Sequence, residues 1–423
     1  MKNKSYFIRI SDKVLEKALK VSGAVLIEGP KWCGKSRTAE EKAASVLYMQ
    51  DPDQIGSYLK TADTKPSLLL QGEVPRLIDE WQAAPVLWDA VRFAVDRRGK
   101  SGQFILTGSA VPTDNVVRHT GTGRICRMLM RPMSLFESLE SNGSVSLKNL
   151  FDGKTNGECV SALSIEKLSF VLTRGGWPAS VCDEDESAAI QRVYDYVDAV
   201  INIDVSRVDE IEKNPARVRA LMHSLARNIS TTAAITTVCA DIAGDEKSIS
   251  EKTVSSYLNA LRRIFVVEDL PAWSPALRSK TTIRTSSKRH FTDPSIATAV
   301  LRASPQDLLK DFNSFGLLFE SLCIRDLRVY AHANDGEVFH YRDKSDLEAD
   351  AIVHLKDGRW GAVEVKMGAK EIEEAAKNLI ALREKINTAK MREPSFLAVI
   401  TCTEFGYRRK DGVFILPIGC LRE

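Results

Sequence analysis

The 423-residue sequence has no Cys-x-x-Cys pair, no hydrophobic run of membrane-spanning length and no large surplus of charge of either sign. Its eight cysteines stand apart at 33, 126, 159, 182, 239, 323, 402 and 420, a scatter that argues against zinc ribbons and a disulfide framework. Without an apolar run of about 20 residues, no membrane partner is expected. Residues Met1 to Arg9 lack the apolar stretch and small-residue cleavage site of a secretory leader, so a cytoplasmic location is the expectation. Against 59 basic side chains stand 56 acidic ones, and a net charge of +3 sets up no global field that demands nucleic acid. Any basic patch must be local. What remains, 44% hydrophobic and 27% charged, is ordinary globular composition, and the length allows roughly two to four domains.

The stretch Gly29-Pro30-Lys31-Trp32-Cys33-Gly34-Lys35-Ser36 fits a phosphate-binding loop: glycine, four residues, then Gly-Lys-Ser. Ala24 to Ile27 before it suits a buried parallel strand, and the stretch from Arg37 to Ala44 suits a helix, which is the context the motif requires. Glycine lets the backbone wrap closely around phosphate oxygens. Lys35 is then expected to reach the β- and γ-phosphates of ATP, and the Ser36 hydroxyl to ligate Mg²⁺, with Arg37 counted among the loop residues. The plainer alternative is a glycine turn with a surface lysine. Cys33 beside a helix N-terminus is expected to be somewhat reactive.

Ser45 to Met49 reads as a second strand. Arg76-Leu77-Ile78-Asp79-Glu80 is a short apolar strand ending in two acids, with Asp79 expected to hold Mg²⁺ through water and Glu80 to orient the attacking water. The alternative there is a solvated strand end. A helix over Trp88 to Asp96 and a basic turn lead to Phe104-Ile105-Leu106-Thr107-Gly108-Ser109, where Thr107 is either a sensor of phosphate or lytic water, or a cap of the next turn. Arg124 or Arg127, after a glycine turn at 121–123, offers an arginine finger in the same chain or a neighbour's; the alternative is ordinary surface charge.

Helical spacing runs through residues 186 to 227. A helix around Ala233 to Ile242, a Ser250-capped helix to Ile264 and a strand Phe265 to Glu268 suit a winged helix-turn-helix. Residues 261 to 290 hold Lys/Arg at 262, 263, 278, 280, 284, 288 and 289 against acids at 268 and 269. DNA or a protein partner fits this module equally. Beyond Pro305 the order is helix (Asn313 to Val329), three strands, helix, strand. Asp350 starts one strand, and Glu364 and Lys366 share a face of its partner. The set resembles a PD-(D/E)xK nuclease site, in which Asp350 and Glu364 would hold Mg²⁺, Lys366 would position water and Glu320 would be an auxiliary acid. Taken alone, Glu-x-Lys on an exposed strand face is common.

GPKWCGKS, RLIDEWQ, FILTGS and GRICRMLMRPMSLFE, with Arg174-Gly175-Gly176-Trp177-Pro178 and Lys288-Arg289-His290-Phe291-Thr292-Asp293-Pro294, resemble the prokaryotic AAA+-type P-loop ATPases with an uncharacterised C-terminal region. The departure is at Trp32 and Cys33, where smaller or more polar residues are usual. The resemblance implies an α/β architecture: an AAA-like P-loop NTPase domain with a parallel sheet (1–140), a helical lid or connector (141–215), a winged-helix-like domain (216–304) and a restriction-endonuclease-like domain (305–423). The expected function is a Mg²⁺-dependent ATPase whose nucleotide state controls a DNA-contacting winged helix and the nuclease-like domain. The alternative is a nucleotide-gated interaction module with an inactive nuclease fold. A P-loop kinase is a third class, and assembly with a second copy or a protein partner is left open.

Overall fold

A computed structural model describes residues 6–109, 121–207, 213–243, 250–275, 286–386 and 391–423. The chain forms two compact units, one of Met1–Pro132, Asp204–Glu212 and Ala260–Val266, the other of Met133–Ile203, Lys213–Asn259 and Val267–Glu423.

The first unit is built on strands β1 (Ala24–Glu28), β2 (Ser45–Tyr48), β3 (Arg76–Asp79), β4 (Phe104–Gly108) and β5 (Ile125–Leu129). They lie in the order β2-β3-β4-β1-β5, and every pairing is parallel. β1 and β4 are apolar almost throughout because both faces of a central parallel strand are covered. The register aligns Glu28 with Gly108 and Leu129, and Tyr48 with Asp79, so Gly29, Glu80 and Ser109 all leave at one edge. β4 stands between β1 and β3 and therefore brings Thr107 between the phosphate loop and the two acids. Leu26, Ile78, Leu106, Trp81 and Trp88 pack one face of the core. The helix Val86–Arg98 ends at Gly99, whose φ of 60° is the left-handed stop that glycine adopts without strain.

In the second unit, β6 (Val145–Ser146) pairs with a C-terminal strand, Leu421–Arg422. Strands β7 (Cys159–Val160), β8 (Gly336–Arg342), β9 (Glu348–Leu355), β10 (Trp360–Lys366), β11 (Phe396–Thr401), β12 (Phe405–Arg408) and β13 (Phe414–Pro417) form one sheet in the order β7-β12-β13-β11-β10-β9-β8. β8, β9 and β10 are antiparallel neighbours, and β11 runs parallel to β10. The helix Ile372–Lys385 covers it through Ile372, Ala375, Ala376, Leu379 and Leu382, packed on Trp360, Ile352 and Leu397.

The segment 141–163, expected in a helical connector, instead belongs with this sheet: β7 adds to its edge, Ser141 Oγ donates to the Leu421 carbonyl and Arg359 pairs with Asp152 at 2.9 Å. Strands of two residues carry too little periodicity to be read from sequence. Helices do occupy Ile165–Arg174, Glu186–Ala199 and Pro215–Arg227. Of the expected winged helix, the helices are Ile235–Ala243 and Glu251–Arg263. The expected strand over Phe265 to Glu268 is replaced by isolated bridges, Val267 to Phe291 and Leu270 to Lys288, after a left-handed Phe265 (φ 58°). Arg278, Lys280 and Arg284 lie outside the described residues.

The two quoted motifs of this unit are tied to each other. The Gly176 N–H donates to Asp293 Oδ2 at 3.0 Å, and Trp177 Nε1–H donates to Ser295 Oγ at 3.0 Å. Arg325 is buried between Asp293 (2.8 Å) and Asp326 (2.7 Å). Their spacing in the sequence thus serves a buried polar network in which each charge has its partner. Among the described residues, no helix is long and apolar enough to cross a membrane.

Candidate nucleotide site and a second charged cavity

Leaving β1, the chain turns at Gly29 (φ 151°) and again at Gly34 (φ 101°), both conformations that side chains disfavour. A Cβ on Gly29 would run into the Met130 carbonyl oxygen. Trp32 takes a left-handed φ of 65° and stays 53% exposed, so the bulky departure is accommodated by pointing out of the loop. Cys33 is fully buried, with Sγ–H directed at the Met130 carbonyl oxygen at 3.6 Å. The expectation of a reactive thiol is therefore corrected: burial withholds it from reagents.

Lys35 is buried and its ammonium donates to the carbonyl oxygens of Gly29 (2.9 Å) and Pro30 (2.7 Å). Ser36 Oγ–H donates to Asp79 Oδ1 at 2.6 Å, and Thr107 Oγ1–H donates to that same oxygen at 2.7 Å. The Glu80 backbone N–H in turn donates to Thr107 Oγ1 at 3.1 Å. Thr107 is thus a bridge from β4 to the end of β3, where its hydroxyl meets both acids' positions. Glu80 has a left-handed φ of 54°, a strained conformation for a glutamate that costs about 1–3 kcal/mol, and its carboxylate accepts from Gln82 Nε2–H and from Ser109 Oγ–H at 3.4 Å. Burial, reinforced by Asp79 and opposed by Lys35, pushes the Glu80 carboxyl above its ordinary value. That direction makes it a stronger base.

A cavity of about 730 Å³ is lined by Lys31, Trp32, Gly34, Lys35, Ser36, Arg37 and Glu80, and also by Gln50, Gln82, Ser109, Asp204 and Ile264. Of the loop residues expected there, Gly29, Pro30 and Cys33 shape the turn behind it. Arg37 lines the opening and pairs with Glu40 and Glu41. The adjacent hard oxygens of Ser36 and Asp79 suit Mg²⁺, which keeps several waters and takes few protein ligands. Arg124 is not brought to this cavity: it sits before β5, at the opposite edge of the sheet, paired with Asp96 at 2.8 Å. Arg127 pairs with Glu28 at 3.2 Å, over the ring of Trp88. The same-chain arginine finger is therefore corrected for both. Of the residues the sequence left unread, Gln82 follows the acids by two positions and had a local signal. Asp204 had none.

A second cavity, of about 530 Å³ and within the second unit, is lined by Glu320, Asp350 and Lys366, and by Lys288, His340 and Arg342 among others. Three of the four expected residues line it, and the fourth, Glu364, is buried beside Lys366. Lys366 Nζ is 2.9 Å from Glu364 Oε2 and 3.9 Å from Asp350 Oδ2, and the Val365 N–H donates to Asp350 Oδ2 at 2.9 Å. Glu320 comes from the helix Phe312–Ala333. The addition is Lys288, counted from sequence with a DNA-facing surplus. Its ammonium is buried, 2.8 Å from Glu320 Oε1 and 3.0 Å from Asp350 Oδ1. Arg289 likewise pairs with Asp269 at 2.9 Å.

Three carboxylates thus meet two ammoniums. Burial first, then the charge of Asp350, raises Glu320 to about 7, against the pull of Lys288. Burial pushes Asp350 the same way, but Lys288 and Lys366 hold it down at about 2. Glu364, with Oε1 buried and without a hydrogen-bond partner, is pushed well above the carboxylate range by burial and by Asp350. Among the described residues, no group of three or more His, Cys, Asp or Glu side chains could hold a metal ion.

Comparison with known proteins gives three family matches. Residues 21–139 match an AAA domain. The first unit carries an AAA-like P-loop domain. Nucleotide binding comes with that assignment. Residues 165–307 match a domain of unknown function (DUF8612), and residues 315–421 match another (DUF4143). No curated protein matches. Among solved structures, a Walker-type ATPase of Pyrococcus abyssi is similar at 15% identity and a TM-score of 0.43, over 70% of this chain and 96% of that one. The structure of Drosophila ORC bound to DNA is similar at 12% identity and a TM-score of 0.18, over 72% and 89%. At such scores neither likeness bears on the chemistry.

Proposed function

We propose that this protein is a Mg²⁺-dependent ATPase, hydrolysing ATP to ADP and phosphate at the edge of the parallel sheet. The observation that carries the reading is the convergence of Ser36 and Thr107 on Asp79, with Glu80 held beside them by Gln82. Lys35 would leave the loop carbonyls for the β- and γ-phosphates, exchanging two neutral acceptors for anionic oxygens. Ser36 and Asp79 would hold Mg²⁺, which supplies neutralisation of charge on the phosphate oxygens. Glu80 would accept a proton from the attacking water, with its carboxylate oriented by Gln82 and Ser109 and its backbone fixed by Thr107. Phosphate release from ATP by purified protein, compared with Lys35→Ala, tests this. Equal turnover in the two proteins overturns it, and transfer to a small molecule instead of water makes the site a kinase.

A second reading concerns the charged cavity. The convergence of Glu320, Asp350, Glu364 and Lys366 supports a nuclease-like arrangement, but Mg²⁺ does not fit these side chains as they stand, because Lys288 and Lys366 already neutralise the carboxylates. The Lys288 contacts favour a nucleotide-gated interaction module whose nuclease-like fold does not cut. DNA contact by this module is part of the same proposal, resting on Arg262, Arg263 and residues beyond the described ones. Supercoiled and single-stranded DNA incubated with Mg²⁺ or Mn²⁺, with and without ATP, tests both: cleavage that Lys366→Ala abolishes overturns the uncleaving reading. Binding that is absent at low salt, or insensitive to salt, removes DNA as the partner.

A further inference from the structure

Lys31 is the third residue of the phosphate loop, and unlike Lys35 it is not tied to the loop's own carbonyls. Its Nζ lies 2.6 Å from Oδ1 of Asp204, 173 residues away in sequence. Asp204 is buried at 8% exposure and closes a π-helical turn, Val200–Asp204, at the point where the chain passes from the second unit into the first. Both residues line the same cavity as Lys35, Ser36 and Glu80. A carboxylate on that wall repels a polyphosphate and at the same time occupies a cation suited to meet it.

We propose that Asp204 is a resident competitor for Lys31, a second phosphate-binding lysine, so that a bound polyphosphate breaks the Lys31–Asp204 pair and frees Asp204 from the phosphate loop. This rests on the nucleotide site proposed above and adds a regulator to it. Linkage makes the effect reciprocal: whatever factor the pair takes from polyphosphate affinity, the polyphosphate takes from the pair. π-helical turns are rare and concentrate at functional sites, and this one has its last residue held by the loop that would receive the ligand. Because the competition is between anions, its size follows ligand charge. ATP gains most from the loss of Asp204, ADP less, and adenosine nothing.

Calorimetric titration of the full chain with ATP, ADP and adenosine, in the presence of Mg²⁺, tests this with Asp204→Asn, Lys31→Met, their combination and Lys35→Ala. Asp204→Asn is expected to tighten ATP binding about fivefold or more, the lower end of ordinary coupling between sites. The gain is smaller for ADP and shrinks to the part owed to direct repulsion by Asp204 when Lys31→Met is also present. Unchanged or weaker ATP binding in Asp204→Asn, with Lys35→Ala still losing ATP, overturns the competition while leaving the nucleotide site standing. Wild-type affinity in Lys35→Ala removes the nucleotide site itself. Should Asp204→Asn fail to fold, hydrogen exchange on the wild type decides: residues 204–207 exchange faster with ATP bound if Asp204 is released, and slower or unchanged exchange overturns the proposal.

Discussion

Replacing Lys288 by methionine keeps an unbranched apolar stem and deletes the ammonium with its charge and hydrogen bonds. In the native cluster that charge lies 2.8 Å from Glu320 and 3.0 Å from Asp350, all three being buried or nearly so. Asp350 would keep the Val365 N–H at 2.9 Å and Lys366 at 3.9 Å, so the loss falls mainly on Glu320. Removing one partner of a buried pair costs about 3–5 kcal/mol. At about 2–4 °C per kcal/mol for a unit of this size, the calorimetric midpoint of the second unit should fall by roughly 6–20 °C. The loss should also depend on pH. Glu320, already raised to about 7, goes higher without Lys288. A carboxyl raised on folding binds more protons in the native than in the unfolded state, so stability is present below the unfolded value and is lost as pH rises through the folded one. The penalty is therefore largest near pH 8 and shrinks toward pH 5, and Lys288→Met combined with Glu320→Gln recovers most of it near pH 8. A loss under about 1 kcal/mol at every pH, or no recovery in the double variant, would refute the seating of Lys288 between the two acids.

Glu80→Gln should lower ATP turnover by about 10²–10⁴-fold while calorimetry finds nucleotide affinity little changed. In the wild type, the acid limb of turnover should lie above the ordinary glutamate value, because burial raises Glu80 and protonation removes the base. Gly29→Ala places a Cβ against the Met130 carbonyl at φ 151° and should cost about 1–3 kcal/mol in thermal stability and abolish nucleotide binding. Cys33 should remain unmodified by a thiol reagent in the native protein while Cys182, which is exposed, reacts; modification of both at equal rates contradicts the burial described.

The phosphate loop, the strand ending at Asp79-Glu80 and the Asp350, Glu364 and Lys366 triplet were all legible in the sequence because each is local: a glycine spacing, an apolar run closed by acids, a period of two along one strand. The same locality made Phe104–Gly108 and the last-quarter helix readable. What sequence could not assign was what the elements meet. That Thr107 reaches Asp79 follows from β4 lying between β1 and β3, a neighbour relation that no single strand encodes. Arg124 looked like a finger beside a glycine turn and proved to stand at the far edge of the sheet, since parallel strands put their starts and ends on opposite sides. Lys288 looked like one of seven charges facing a phosphate backbone, but an isolated bridge to Leu270 turns it into a buried acid cluster. Asp204 joined the phosphate loop from 173 residues away with no motif at all. Local pattern thus determined which side chains can do chemistry. The long-range packing of strands and turns decided which charges oppose them and which are already neutralised, because electrostatics acts through distance and burial rather than through sequence spacing.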